Sequence, residues 1–142
     1  AHWLGFQVLV SDDREEFCTP ESNPDADAFY PVKMDRLPEL VLINSQTYIV
    51  LTTRGVTVDV EGLPVLLKSQ AGYIGVIGSR RRWTVARKAL EEAGVPPQAL
   101  DRVQSPIGLE LHAETPEEIA VSIMAEIIMV RNGASGLPMK MV

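Results

Sequence analysis

The chain has 142 residues, 46% of them hydrophobic, a formal net charge of −6 and a single cysteine. That is enough for one domain with its own core and too little for two ordinary ones. The acidic balance disfavours nonspecific nucleic-acid binding, and no apolar run approaches the roughly 20 residues of a membrane span.

Cys18 alone cannot form an internal disulfide, so a reducing cytoplasm is the expected location. The start Ala1-His2-Trp3 lacks the basic region of a signal peptide. Cys18 follows Glu15-Glu16-Phe17, and neighbouring acids disfavour an activated thiolate. His2 and His112 are too far apart in sequence for a zinc spacing, so no metal site is expected.

Residues 1–5 read as the end of a helix. Phe6-Gln7-Val8-Leu9-Val10 follows as a short parallel strand closed by Ser11-Asp12-Asp13-Arg14. Residues 18–27 are rich in Pro, Asp, Ser and Asn and read as loop. Residues 29–33 suit a short edge strand, because Pro31 has no N–H to give a central ladder. Residues 37–43 suit a short helix. Tyr48-Ile49-Val50-Leu51-Thr52-Thr53 is apolar and β-branched, the composition of a buried strand. Residues 58–68 suit a crossover helix made irregular by Gly62 and Pro64. Residues 72–77 form the next buried strand.

A helix over about residues 80–93 carries Trp83, Ala86, Leu90 and Ala93 at helical spacing and stops at Gly94. Residues 98–103 suit a further short helix, and residues 106–109 a short strand or turn. Thr115-Pro116-Glu117-Glu118 is a helix start: Thr115 caps, Pro116 fits the first turn, and Glu118 completes a capping box. That helix runs to about Arg131 with Ile119, Ile123, Ile127 and Val130 on one stripe, and ends at Gly133. Residues 1–133 thus form one domain and residues 134–142 a flexible tail.

Strands alternating with helices specify an α/β fold: a three-layer, mostly parallel, Rossmann-like sheet with helices on both faces. Ligands of such sheets sit beyond the carboxyl ends of the strands. Asp12-Asp13-Arg14, Thr52-Thr53-Arg54-Gly55 and Gly78-Ser79-Arg80 all fall there. The last group is the most informative. Tyr73-Ile74-Gly75-Val76-Ile77 is a buried strand that turns at Gly78-Ser79 into a helix beginning Arg80-Arg81-Arg82. A helix N-terminus already carries about half a positive charge, so three cations there make sense around an anion. The competing reading is a solvated helix start. Asp12 and Asp13 stand where a dinucleotide fold binds ribose hydroxyls; the simpler reading is that they form a turn.

A dinucleotide fold opens with a strand, a glycine-rich turn and a helix. No such element stands before Phe6, so the sheet is expected to lack its usual first strand. That strand would lie between the Phe6 and Tyr48 strands, which then either pair directly or leave a gap. Bare apolar edges template strand addition from another chain, so a homodimer is expected.

With these residues in view, the chain resembles the C-terminal, Rossmann-like domain of the xanthine dehydrogenase accessory factor family (XdhC/CoxI). The resemblance spans residues 4–133. It is carried by Tyr73 to Arg81, by Pro106-Ile107-Gly108-Leu109, and by Ala113-Glu114-Thr115-Pro116-Glu117-Glu118-Ile119-Ala120-Val121-Ser122-Ile123. Leu4-Gly5-Phe6, Asp12-Asp13-Arg14, Phe17 and Pro24-Asp25-Ala26-Asp27 also fit. Arg54-Gly55 stands where the family often has His-Asp, and Gln104-Ser105 where it often has a histidine.

The resemblance implies a cytoplasmic assembly factor that binds molybdenum cofactor, supports its sulfuration and delivers it to a molybdenum hydroxylase such as xanthine dehydrogenase. A cysteine desulfurase is then a further partner. The motifs that carry the resemblance add Pro106, Ile107 and Gly108 to Gly78, Ser79, Arg80 and Arg81 as cofactor-binding candidates; Asp12, Asp13, Thr53 and Arg54 join them from their place at the strand ends, and no catalytic residue is expected. The rival readings are an NAD(P)-dependent oxidoreductase on the same sheet and a non-catalytic dimerisation or docking module.

Overall fold

The computed structural model describes residues 1–141. The last residue of the expected tail, Val142, lies outside the described residues; residues 134–141 carry no helix or strand and are exposed. Five strands form: β1 Leu9–Ser11, β2 Ala28–Tyr30, β3 Tyr48–Leu51, β4 Tyr73–Val76 and β5 Val103–Gln104. The helices are α1 Leu37–Leu40, α2 Val56–Leu67, α3 Arg80–Glu92, α4 Pro97–Leu100 and α5 Pro116–Asn132. Short 3₁₀ turns at His2–Leu4, Glu15–Phe17 and Met34–Arg36 fill the connections.

All strand pairs are parallel, but they make two sheets, β1-β2 and β3-β4-β5. Of the two arrangements left open by the sequence, the gap is the one present: β1 and β3 do not pair. They still lie side by side and run the same way. At their starts the Phe6 and Tyr48 rings meet edge-on at 5.8 Å. Beyond their ends Arg54 Nη1 reaches Asp13 Oδ1 at 3.1 Å.

Strand β4 shows why the three-stranded sheet is the centre of the core. Its four residues are all buried, because both faces are covered. Ile74 and Val76 point into a cluster with Leu63, Leu66, Leu90 and Leu100 from α2, α3 and α4. Tyr73 points the other way, onto Ile123 and Ile127 of α5. The α5 stripe is thus core, as its spacing requires: Ile119 and Val130 flank that cluster. A Cβ on Gly75 would collide with Ile107, so glycine lets the loop after β5 lie against β4. Gly62 admits Met34 against α2 in the same manner.

Several local expectations change. Helix α2 runs through Pro64, whose missing N–H removes one internal bond without ending the helix. Residues 98–103 are not one helix: α4 stops at Leu100, and Val103–Gln104 pairs with β4 as β5. In the turn between them the Arg102 guanidinium donates to the carbonyls of Leu67 at 2.8 Å and Ala71 at 3.0 Å and ties this segment to the end of α2 and the loop after it. Ala93 is exposed rather than on the apolar face of α3, since the helix ends one residue earlier and Gly94 takes φ +94°. Of the strand and the turn open for residues 106–109, the structure has the turn.

The helix starts follow their caps. Thr115 Oγ accepts from Glu118 N at 3.1 Å, and the Glu118 carboxylate accepts back from Thr115 N at 3.1 Å. Those bonds hold the Glu118 carboxyl below its ordinary pKa. Ser79 caps α3 by accepting from Arg82 N at 3.1 Å.

Candidate functional site

The carboxyl ends of β1, β3 and β4 meet in one rim. At the first, Asp12 folds into a turn. Its Oδ1 accepts from Arg14 N and Nε, both at 3.0 Å, and its Oδ2 from Arg14 Nη2 at 2.9 Å. The Arg14 guanidinium brings the Asp12 carboxyl down to about 2 against the opposing effect of burial. Arg14 lies at 4.4 Å over the Phe17 ring. Asp13 takes Arg54 instead, which also lies 3.7 Å from Asp12. Both acids are therefore engaged by arginines, and the simple turn reading accounts for Asp12.

The second group is a buried lock that the sequence reading missed. Thr53 Oγ1 donates to Asp59 Oδ1, and Asp59 is fully buried in α2. Arg82 Nη2 bridges Asp59 Oδ2 and Thr53 Oγ1, each at 2.7 Å, and Nη1 reaches the Thr53 carbonyl at 3.4 Å. Arg82 Nε is buried without a partner. The stem of Arg82 crosses Gly78, where a Cβ would stand 2.8 Å from Arg82 Cδ; Gly78 also holds φ +135°, a value that favours glycine. A readable signal existed: Arg82 lies four residues before buried Ala86 and eight before buried Leu90, on the inward stripe of α3.

The three arginines therefore divide. Arg82 turns inward to Asp59, correcting the expectation that all three converge on an anion. Arg80 and Arg81 are exposed, and neither is in an ion pair among the described residues. Their backbone N–H groups are the first two of α3 and have no partner within the helix.

The third group, Pro106-Ile107-Gly108, lies beside the same rim, since Ser105 Oγ donates to the Val76 carbonyl at 3.0 Å. Its own contacts are with the core. Gly108 N donates to Glu126 Oε1 at 3.1 Å, and Tyr73 Oη donates to the same oxygen at 2.6 Å. Burial, then the Glu126 carboxylate, push the Tyr73 phenol far above its usual range, so it stays a donor. A Cβ on Gly108 would strike Ser122. Ile107 packs against β4 and α5. Through Ile107 and Gly108 the loop docks onto α5.

Cys18 is buried with its thiol 3.5 Å from the Val10 carbonyl, and His112 is exposed beside Glu110 at 3.2 Å. No cluster of three or more His, Cys, Asp or Glu fit for a metal occurs among the described residues, and no helix there is long and apolar enough to cross a membrane.

Comparison with known proteins places this geometry. Residues 1–127 match the family model described as the XdhC Rossmann domain. A probable xanthine dehydrogenase component of Bacillus subtilis is 36% identical over 131 residues, covering 89% of this chain and 36% of that protein. A molybdenum cofactor insertion chaperone of Escherichia coli, PaoD, is 25% identical over 89 residues, covering 63% of this chain and 28% of the chaperone. A crystal structure described as that of a xanthine dehydrogenase from Bacillus halodurans superposes with a TM-score of 0.78 at 32% identity, over 93% of this chain and 39% of that one. The chain thus spans between 24% and 39% of the length of such relatives. With the family model matched over residues 1–127, the chain belongs to the XdhC Rossmann domain family.

Proposed function

We propose that this chain is the cofactor-handling domain of an accessory factor for a molybdenum hydroxylase. In this reading it binds a phosphate-bearing ligand, molybdenum cofactor or a nucleotide, beyond the carboxyl ends of β3 and β4. The relatives named for xanthine dehydrogenase and for molybdenum cofactor insertion support the accessory role. The observation that carries the ligand reading is the division of the arginines. Arg82 is neutralised by Asp59, while Arg80 and Arg81 stay exposed at the positive end of a 13-residue helix. Each such cation costs roughly 0.3–1 kcal/mol against the helix dipole. A phosphate in that turn reverses the cost and accepts from two free N–H groups and two guanidinium forks.

The residues fit the phosphate end of molybdenum cofactor. They offer its metal end no cluster of ligating side chains among the described residues. Arg80, Arg81 and the Gly78-Ser79 turn would hold the phosphate, with Thr53 and Arg54 at the margin. The redox chemistry belongs to the cofactor in its target enzyme; this chain binds, orients and presents. A ribose on Asp12 is disfavoured because both carboxylate oxygens already serve Arg14. The partners in this reading are a xanthine dehydrogenase-type hydroxylase and, for sulfuration, a cysteine desulfurase.

Thermal unfolding with added molybdopterin, NAD(P) and inorganic pyrophosphate tests this. A binding phosphate compound stabilises the fold by about 2.7 kcal/mol at a hundredfold excess over Kd. Arg80→Ala combined with Arg81→Ala should abolish that shift, while the unliganded melting point should hold or rise slightly as the two misplaced cations leave the helix start. Equal shifts in parent and variant would reject the site. Steady hydride transfer from NAD(P)H to a small carbonyl, above a protein-free blank, would reject the non-catalytic role.

A further inference from the structure

We propose that the outer face of α3 is a docking surface for an acidic protein segment that carries an aliphatic side chain among its carboxylates. This goes beyond the ligand reading and does not depend on it. Five of the chain's 13 lysines and arginines fall within residues 80–88, and no acid follows them before Glu91. Two of the five are engaged within the fold: Arg82 with Asp59 at 2.7 Å, and Arg87 with Glu91 at 3.0 Å and Asp101 at 2.9 Å. Arg80, Arg81 and Lys88 are exposed and in no ion pair among the described residues. A protein of net charge −6 thus shows a strongly positive helix face.

That face is arranged about an apolar centre. Arg81, Val85 and Lys88 follow one another at spacings of four and three, so they share one line along the helix. Val85 is 52% exposed. Thr84, beside it, turns its hydroxyl back onto the Arg80 carbonyl at 2.9 Å. The other side of α3 is committed to the interior through Ala86 and Leu90, which fixes this face outward.

Charge complementarity selects the occupant. Cations on either side of a valine fit carboxylates on either side of an aliphatic group. An arginine takes a carboxylate as a forked pair, and Val85 leaves water against the partner's side chain. A nucleic acid fits less well: it offers nothing apolar to Val85, and the remainder of an acidic protein repels it. The chain also supplies a contrast. Val121, 62% exposed, lies with Leu111 beside Glu117, so an acidic segment should avoid it.

Backbone amide shifts of the intact chain at about 0.15 M salt test the proposal, under conditions that screen weak surface attraction. The probe is a capped peptide with one leucine flanked on each side by glutamates. One control has glycine for the leucine, and the other is a short oligonucleotide. The leucine peptide should give saturable shifts centred on Val85 and Lys88, leave Val121 unmoved, and bind more tightly than either control. Lys88→Glu and Val85→Asp should each weaken it by at least about tenfold, since both set an acid against the partner's acids. Neither variant should alter the response of residues 78–81 to inorganic pyrophosphate. A peptide response without a pyrophosphate response would reject the phosphate site and leave this surface standing. Three outcomes overturn the proposal: no saturable shift in residues 80–88, equal binding of the leucine peptide and a control, or a solution mass of twice 15.6 kDa that Lys88→Glu halves, which would make the occupant a second copy.

Discussion

Strands β1 and β4 are both short apolar runs, and they fare very differently. In β4 every residue is buried, because β3 and β5 flank it and helices cover both faces. In β1 none is buried, because β2 alone flanks it. The difference teaches that an apolar run specifies a strand, while its neighbours decide how much that strand contributes. Stability should therefore be concentrated in β3-β4-β5 with its helices, and the β1-β2 pair should open first.

The sharpest way to break this comparison is core truncation. Leu63→Ala and Ile123→Ala, one on each face of the three-stranded sheet, should each cost about 2–5 kcal/mol in denaturant unfolding. Leu9→Ala should cost under about 1 kcal/mol, since its side chain is already partly in water. Equal costs at Leu9 and Leu63 would mean β1 belongs to the same core.

Next in size is the lock under the rim. Asp59→Ala leaves Arg82 without its partner and should cost about 3 kcal/mol, the scale for breaking a buried pair. Thermal unfolding should show this loss in the absence of any ligand. Thr115→Ala removes an N-cap from α5 and should cost about 1 kcal/mol, read from the same melts.

The smallest expected effect is one of pH. The Asp12 pKa is depressed to about 2, so its pairing with Arg14 and Arg54 contributes fully above the ordinary carboxylate pKa. That contribution is lost as pH falls toward 2. Both arginines are more than a third exposed, so the loss should stay under about 1 kcal/mol. Comparing the parent with Asp12→Asn from pH 7 downward checks it: the variant should be the less stable at pH 7, and the difference should shrink as pH falls through about 2.

Much of this was legible in the sequence because the signals were local. The apolar runs at Tyr48 and Tyr73 are strands, and the Thr115 capping box starts α5 where its spacing says. The missing strand was legible too, as an order of elements without a glycine-rich turn before Phe6. What escaped depends on partners far along the chain. The docking of Pro106-Ile107-Gly108 onto α5 shows only when Glu126 is seen to hold Gly108 N. Arg82 looks like a third free cation until Asp59, 23 positions earlier, is seen to face it. Strand β5 is two residues long, and only its pairing with β4 reveals it.

The central functional claim is that the first turn of α3 binds phosphate through Arg80 and Arg81. Backbone amide chemical shifts, followed by NMR while inorganic pyrophosphate is added, test it most directly. Shifts that saturate and concentrate at residues 78–81, and vanish when both arginines are alanine, are the predicted result. Shifts spread evenly over the surface, or centred on Asp12 and Asp13 with residues 78–81 unmoved, would contradict it.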